Sequence, residues 1–194
     1  MKEKLVKAIK LAKERAKPRK FKQTVDLILN FRNVDFSKPE NRINVEVVLP
    51  KGRGKDIKIG AIVGDELFSE AKKVADVVIH ANDLEKLEKK QKKKLAKECI
   101  HFVAQANIMP LVGRFLGQVL GPRGKMPIPI PPNAKLEPII KRLKNTVRIR
   151  MKGKFIPTVQ APIGTEDMDD ESLAENALAI IEAVTEKLPN KIGN

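Results

Sequence analysis

Leu49-Pro50-Lys51-Gly52-Arg53-Gly54-Lys55 is the stretch on which the reading of this 194-residue chain turns. Before it, the hydrophobic period is two. From Gln23 onward, Val25, Leu27, Leu29 and Phe31 alternate with Thr24, Asp26, Ile28 and Asn30, the pattern of a strand with one buried face. Residues 42–49 repeat it, with Ile43, Val45, Val47 and Leu49 inward and Asn44 and Glu46 outward. A proline, two glycines and several charges then interrupt the pattern, as at a hinge or domain boundary.

Beyond the interruption, short apolar strands alternate with helices. Residues 57–63 predict a strand, 66–75 a helix, 77–79 a strand and 83–97 a very basic helix. Residues 102–104 predict another short strand, 109–120 a helix, and 134–144 a further helix after a Pro-rich stretch through Pro132. Such alternation indicates a parallel sheet covered on both faces, a Rossmann-like arrangement.

After Asn145 the period returns to two. Val147, Ile149 and Met151 are expected inward, with Thr146, Arg148, Arg150 and Lys152 outward, and Lys152-Gly153-Lys154 reads as a hairpin turn into a strand over 156–161. The half-buried strands therefore lie at both ends, each with a helix. Residues 3–16 carry Leu5, Ile9, Ala12 and Ala16 at helical spacing and stop before Pro18. Residues 170–188 carry Leu173, Ala177, Ile180, Ile181 and Val184 on one face, with Asp169 as N-cap. The chain is thus expected to be α/β with two domains. A discontinuous α+β outer domain, 1–52 with 146–194, carries a Rossmann-like inserted domain, 53–145. Gly52, Gly54 and Asn145 mark a double crossing that would serve as hinge.

Composition narrows the partners. The 39 Lys and Arg exceed the 24 Asp and Glu, for a formal charge of +15, which favours a polyanion and above all nucleic acid. No apolar run approaches the roughly 18 residues of a membrane span. The N-terminus opens into a charged amphipathic segment rather than a signal peptide. The one cysteine, Cys99, excludes an internal disulfide framework and suits a reducing cytosol. A charged fraction of 32%, with no Trp or Tyr, is compatible with a heat-adapted source.

Three basic constellations stand out. Arg19, Lys20, Phe21, Lys22, Gln23 and Thr24 combine cations, a hydroxyl and an aromatic, as RNA contact requires. Phe21 reads equally as a core residue, and its neighbours as ordinary solvated charge. Arg148, Arg150 and Lys152 share one strand face. If their strand pairs with both Thr24-Asp26 and Asn44-Glu46, they form a binding surface, a cross-strand partnership with Asp26 and Glu46, or both. The lysines of 86–97 read as a solvated helix or as an RNA contact.

Catalytic chemistry finds little support. His80 and His101 stand apart, and Cys99 near His101 lacks a third member. Cysteine and histidine together number three, too few for a metal-ligand cluster, and no cofactor or small-molecule substrate is implied. Gly121-Pro122-Arg123-Gly124-Lys125-Met126-Pro127 is a stiff loop that superficially resembles a phosphate cradle. The spacing fails, with Val119 where that pattern needs glycine and Met126 where it needs a hydroxyl. Val63-Gly64-Asp65-Glu66 puts carboxylates where a dinucleotide's pyrophosphate would sit. A nucleotide-dependent enzyme built on the middle domain is the alternative reading.

The same residues carry a family resemblance. Gly121 to Pro127 resembles the signature loop of the large-subunit ribosomal protein L-one family, and residues 49–55 look like its first interdomain crossing. Lys20-Phe21 followed by Thr24-Val25 matches its RNA-contacting segment, and Ala161-Pro162-Ile163-Gly164 resembles the turn after its second outer strand pair. Lys38-Pro39-Glu40-Asn41-Arg42 and the overall brevity look archaeal rather than bacterial.

The resemblance implies the nested two-domain form and a non-enzymatic, cytoplasmic constituent of the large ribosomal subunit. It implies binding to 23S-type rRNA at the lateral stalk, help in releasing deacylated tRNA near the exit site, and repression of translation through the protein's own mRNA. It places RNA contacts at Lys20, Phe21, Gln23 and Thr24, supported by Lys152 and Lys154. Arg123 and Lys125 of the signature loop are expected at the cleft between domains or at a secondary RNA contact. The family's outer domain normally ends on a strand with a Thr-Met-Gly-Pro turn. The chain reaches Lys191-Ile192-Gly193-Asn194 where that strand would start, so an outer sheet one strand short is expected.

Overall fold

A strand that buries one face needs a ladder partner at its edge and a cover over its apolar side, and both termini supply them. The computed structural model describes residues 1–32, 34–151 and 156–188. In chain order the elements are α1 (Lys2–Arg15), β1 (Thr24–Asn30), β2 (Asn44–Val48), β3 (Lys58–Val63), α2 (Asp65–Val74), β4 (Val77–His80) and α3 (Lys89–Glu98). Then follow β5 (Cys99–Gln105), α4 (Met109–Leu120), β6 (Ile128–Ile130), α5 (Leu136–Lys144), β7 (Thr146–Arg150), β8 (Thr158–Thr165) and α6 (Asp170–Glu186). Two compact units result. One holds Met1–Lys55 and the chain from Asn145 onward, and the other is Asp56–Lys144.

In the first unit β1 pairs antiparallel with β8, and β2 antiparallel with β7. Alternation sends Val47, Ile149, Val159 and Ile163 into one core, which α6 covers with Leu173, Ala177, Ile180 and Val184. Burial of each large aliphatic side chain contributes about 1.5–3 kcal/mol, so this shared core is what holds two separate two-stranded ladders together. Asp169 caps α6 by accepting a hydrogen bond from the Ser172 N–H at 2.8 Å, as its position before the apolar stripe predicts. Helix α1 lies along α6, with Ile9 buried and Lys2 and Lys13 paired to Glu175 and Asp170 at 2.8 and 2.7 Å.

The crossing from β2 toward β3 is held by a residue that periodicity treats as one more position on a helix. Asn176 of α6 is fully buried. Its Oδ1 accepts from the Lys51 N–H at 3.0 Å, and its Nδ2 donates to the carbonyls of Gly52 (2.9 Å) and Ile163 (2.7 Å). The return crossing lies alongside, since the Leu49 N–H donates to the Asn145 carbonyl at 2.9 Å. Gly52 and Gly54 both adopt positive φ, 72° and 66°, a conformation other residues take only with strain.

The second unit is a parallel sheet in the order β4-β3-β5-β6. Helices α3 and α4 pack over Ile62, Phe102 and Ala104 on one face, and α2 and α5 over Ile59, Ala61 and Val103 on the other. Central β3 is buried from Ile59 onward, as its continuous apolar run requires when both faces are covered. The α/β class read from the sequence is the class observed.

Several expectations need correction. The basic helix begins at Lys89, not 83. Leu84 is fully buried ahead of it, and Glu88 with Gln91 forms a capping box that sets its start. The strand expected at 102–104 runs from Cys99 to Gln105. The Pro-rich stretch contains β6, whose position at the sheet edge tolerates Pro129. Strand β8 begins at Thr158 and runs to Thr165, so Ala161-Pro162-Ile163-Gly164 is strand rather than turn. Thr146, expected outward, is buried, and Arg53 donates to its carbonyl at 3.0 Å. The hairpin turn at Lys152-Gly153-Lys154 lies outside the described residues, and β7 and β8 pair with β2 and β1 rather than with each other. Residues 191–194, where a further strand was expected to start, also lie outside them.

Candidate nucleic-acid interface

The segment between α1 and β1 is shaped by what stops the helix. Lys17 precedes Pro18 and so disfavours helical backbone, and Ala16 already turns to extended geometry. Arg19, Lys20 and Phe21 then stand in solvent. Phe21 is 66% exposed, and among the described residues neither Arg19 nor Lys20 has an ion-pair or hydrogen-bond partner. An exposed aromatic next to two free cations offers stacking and phosphate neutralisation together.

The next two residues behave differently. Lys22 pairs with Asp167 at 2.5 Å. The Gln23 N–H and Nε2 donate to the two oxygens of Glu166 at 2.8 and 3.1 Å, and Nε2 also donates to the Lys17 carbonyl. The Glu166 N–H returns a bond to the Gln23 carbonyl at 3.0 Å. Gln23 is therefore an anchor that locks the segment to the loop after β8. Thr24 opens β1, is exposed, and lies opposite Thr165.

Arg148 and Arg150 are brought beside Asn44 and Glu46. The register pairs Glu46 with Arg148 and Asn44 with Arg150. Arg148 Nε donates to Asn44 Oδ1 at 3.2 Å and sits 4.0 Å from Glu46 Oε1, so the cross-strand partnership is made. Arg150 is exposed. Thr24 and Asp26 pair instead with β8, so the single ladder that would have joined all these groups does not form. Lys152 and Lys154 lie outside the described residues. On the outer face of β1 the structure adds Ile28, 54% exposed and opposite Gln160, an apolar residue that alternation placed outward without marking it.

The loop of residues 121–127 ends α4. The Gly121 N–H donates to Gly117, the Lys125 N–H to Leu120, and Gly124 takes φ of 65°, which together close the helix C-terminus. Lys125 turns inward: its Nζ donates to the carbonyls of Ala96 and Cys99, both at 2.7 Å, at the C-terminal end of α3. Burial holds its ammonium below the usual lysine value. Arg123 reaches back to the Val119 carbonyl at 3.1 Å. Lys125 is thus tied by its ammonium to α3 and the start of β5 within its own unit.

Where an α/β sheet of this order would hold a nucleotide, outside the carboxyl ends of its two central strands, Gln105 occupies the space. Its Oε1 accepts from the Gly64 N–H at 2.9 Å and its Nε2 donates to Glu66 at 2.7 Å. His80, at the end of β4, contacts Asp65 at 3.0 Å and packs edge-on against Phe68. It is an end-of-strand histidine, as read from its position.

A family model described as the Ribosomal protein L1p/L10e family matches residues 11–194. The chain belongs to this family. Three relatives of the L1p/L10e family, each called "Large ribosomal subunit protein uL1", show how far the similarity extends. That of Thermococcus kodakarensis is 53% identical over 189 residues, covering 96% of this chain and 87% of the relative. That of Methanothermobacter thermautotrophicus is 51% identical over 191 residues, covering 97% and 89%. That of Methanobrevibacter smithii is 48% identical over 198 residues, covering 99% and 92%. L1p/L10e members are structural proteins of the ribosome, and the nucleotide-dependent enzyme considered above is set aside.

Proposed function

We propose that this chain is a cytoplasmic, structural constituent of the large ribosomal subunit that binds rRNA through the unit built from its two ends. The observation that carries this reading is Phe21, left 66% exposed directly after Arg19 and Lys20, two cations without partners among the described residues. Thr24 adds a hydroxyl, Lys22 and Gln23 fix the segment through Asp167 and Glu166, and Arg148 and Arg150 add positive charge on β7 of the same unit. Lys152 and Lys154 extend the basic set along the sequence. The two terminal segments act as one RNA-binding domain, with Asp56–Lys144 as the inserted domain and Gly52, Gly54 and Asn145 as the hinge. The rRNA target is the 23S-type lateral stalk, where the protein assists release of deacylated tRNA at the exit site. A similar fold in its own mRNA lets it repress translation. These finer roles rest on the resemblance and on family membership.

A binding titration with the stalk rRNA fragment at several salt concentrations tests the site. Log affinity is expected to fall with log salt by about 0.7–0.9 per phosphate contact. Phe21→Ala is expected to weaken binding about tenfold, the worth of one lost stacking contact. Equal affinity for unrelated RNA hairpins at the same site would reduce the protein to a generic polyanion binder.

A further inference from the structure

We propose that the exposed face of α3, in the inserted unit, is a second RNA site that grips the phosphate backbone without reading sequence. This goes beyond the rRNA site proposed for the terminal unit. The helix Lys89–Glu98 contains six lysines and one glutamate. Lys89, Lys90, Lys93, Lys94 and Lys97 are exposed, and Lys92 is half-buried over the Phe115 ring at 5.7 Å. Arg114 of α4 shares that ring at 5.5 Å and adds a guanidinium to the patch. Among the described residues, Lys86 before the helix pairs with Asp83 at 3.6 Å, and none of the six α3 lysines forms an ion pair.

Geometry turns this charge into a row. Lys89, Lys93 and Lys97 stand four residues apart on one side of the helix, about 6 Å between neighbours, and Lys90 and Lys94 form a parallel row beside them. Like charges at this spacing repel, so the helix does not owe its stability to them. It is held from its other parts: the Glu88–Gln91 capping box at the start, Ala96 and Leu95 in the core, and the Lys125 ammonium on its last carbonyls. The lysine face is therefore free of any structural task.

The chemistry selects the occupant. A protein partner's interface has an apolar centre depleted in lysine, and the exposed face of α3 has no apolar residue. A membrane-surface helix sinks an apolar face into lipid, and the apolar side of α3 is already committed to the sheet. A regular polyanion needs only closely spaced, mobile cations, and on a chain of net charge +15 that is what α3 presents.

The test uses the full chain, an RNA duplex of unrelated sequence, and the triple variant Lys89→Ala, Lys93→Ala, Lys97→Ala. The variant should unfold at the same temperature or higher. Its log affinity for the duplex should fall less steeply with log salt, by about 2–3 units of slope for three lost contacts, with binding at moderate salt weakened about tenfold or more. The corresponding triple Lys→Arg variant should retain the slope. An unchanged slope in the alanine variant would overturn the proposal, as would α3-dependent binding to phosphatidylserine vesicles without binding to the duplex. Phe21→Ala separates the two sites. It should weaken the stalk fragment while leaving the slope for the unrelated duplex intact, so the failure of either reading shows by itself.

Discussion

Residues 17–22 and residues 121–127 are both short, proline-bearing and basic, yet they use their charge in opposite ways. The first leaves Arg19 and Lys20, just before an exposed Phe21, without partners among the described residues. The second folds Lys125 onto the carbonyls that end α3 and buries Pro127 behind it. The difference comes from what each loop finds nearby. Unsatisfied carbonyls and the negative end of a helix dipole attract an ammonium, and α3 ends beside the α4 loop. The loop after α1 finds a carboxylate pair, Glu166 and Asp167, which engages Gln23 and Lys22 and, among the described residues, leaves Arg19 and Lys20 alone. Composition marks a loop as basic. The neighbours decide whether the charge is spent inside or offered outside.

The sharpest way to break this contrast is Lys125→Met. It leaves two carbonyls without their charged donor and should cost about 2–3 kcal/mol in denaturant unfolding, with stalk rRNA affinity unchanged. Loss of RNA affinity at intact stability would show that the two loops are not opposites. Phe21→Ala is the mirror experiment. Its expected loss is in RNA binding, and its unfolding free energy should stay within about 0.5 kcal/mol because the ring is mostly in solvent.

A pH titration tests the setting of Lys125 from the other side. Burial, with help from Glu98, pushes the Cys99 thiol up to about 11, while Lys125 pulls the other way. A folded value above the unfolded one, about 8.5, means that this contribution to stability is complete below that pH and is lost as pH rises toward 11. The Cys99 contribution should therefore decline across that window while that of Lys125, held low by burial, runs the opposite way, so Cys99→Ala should lose stability less with rising pH than the unaltered chain does. The smallest effect is reserved for Arg123→Ala. One exposed bond to the Val119 carbonyl is lost, and the change should stay within about 0.5 kcal/mol.

Much of the fold was legible because burial leaves a local trace. The bounds of α4 were read directly, as were the inward faces of β1 and β2 and the Asp169 cap, each from period and cap chemistry. Strand β6 was hidden by Pro129 and the prolines beside it, which an edge strand accommodates, and the start of α3 was hidden because charged residues occur on both sides of Glu88. Within the candidate site, the residue types at 19–24 drew notice as a set. Their division into free and anchored groups did not, because Glu166 and Asp167 lie more than 140 positions away. Chain separation also hid Asn176, a polar residue on an otherwise apolar helix face: two of its partners, Lys51 and Gly52, lie 125 and 124 positions away in the crossing, and the third is Ile163 of β8.

By itself, then, the sequence determined the α/β class, the alternation that says which face of each strand is buried, the positive charge and the family. These are properties of short windows, in which the identity of each residue dictates its own environment. Only the tertiary structure decided that β1 joins β8 while β2 joins β7, that Lys22 and Gln23 are held, that Lys125 is turned inward and that the lysines of α3 are left out. Each of those outcomes is a competition for partners among groups distant in the chain, and its result depends on which donors and acceptors packing brings within about 3 Å.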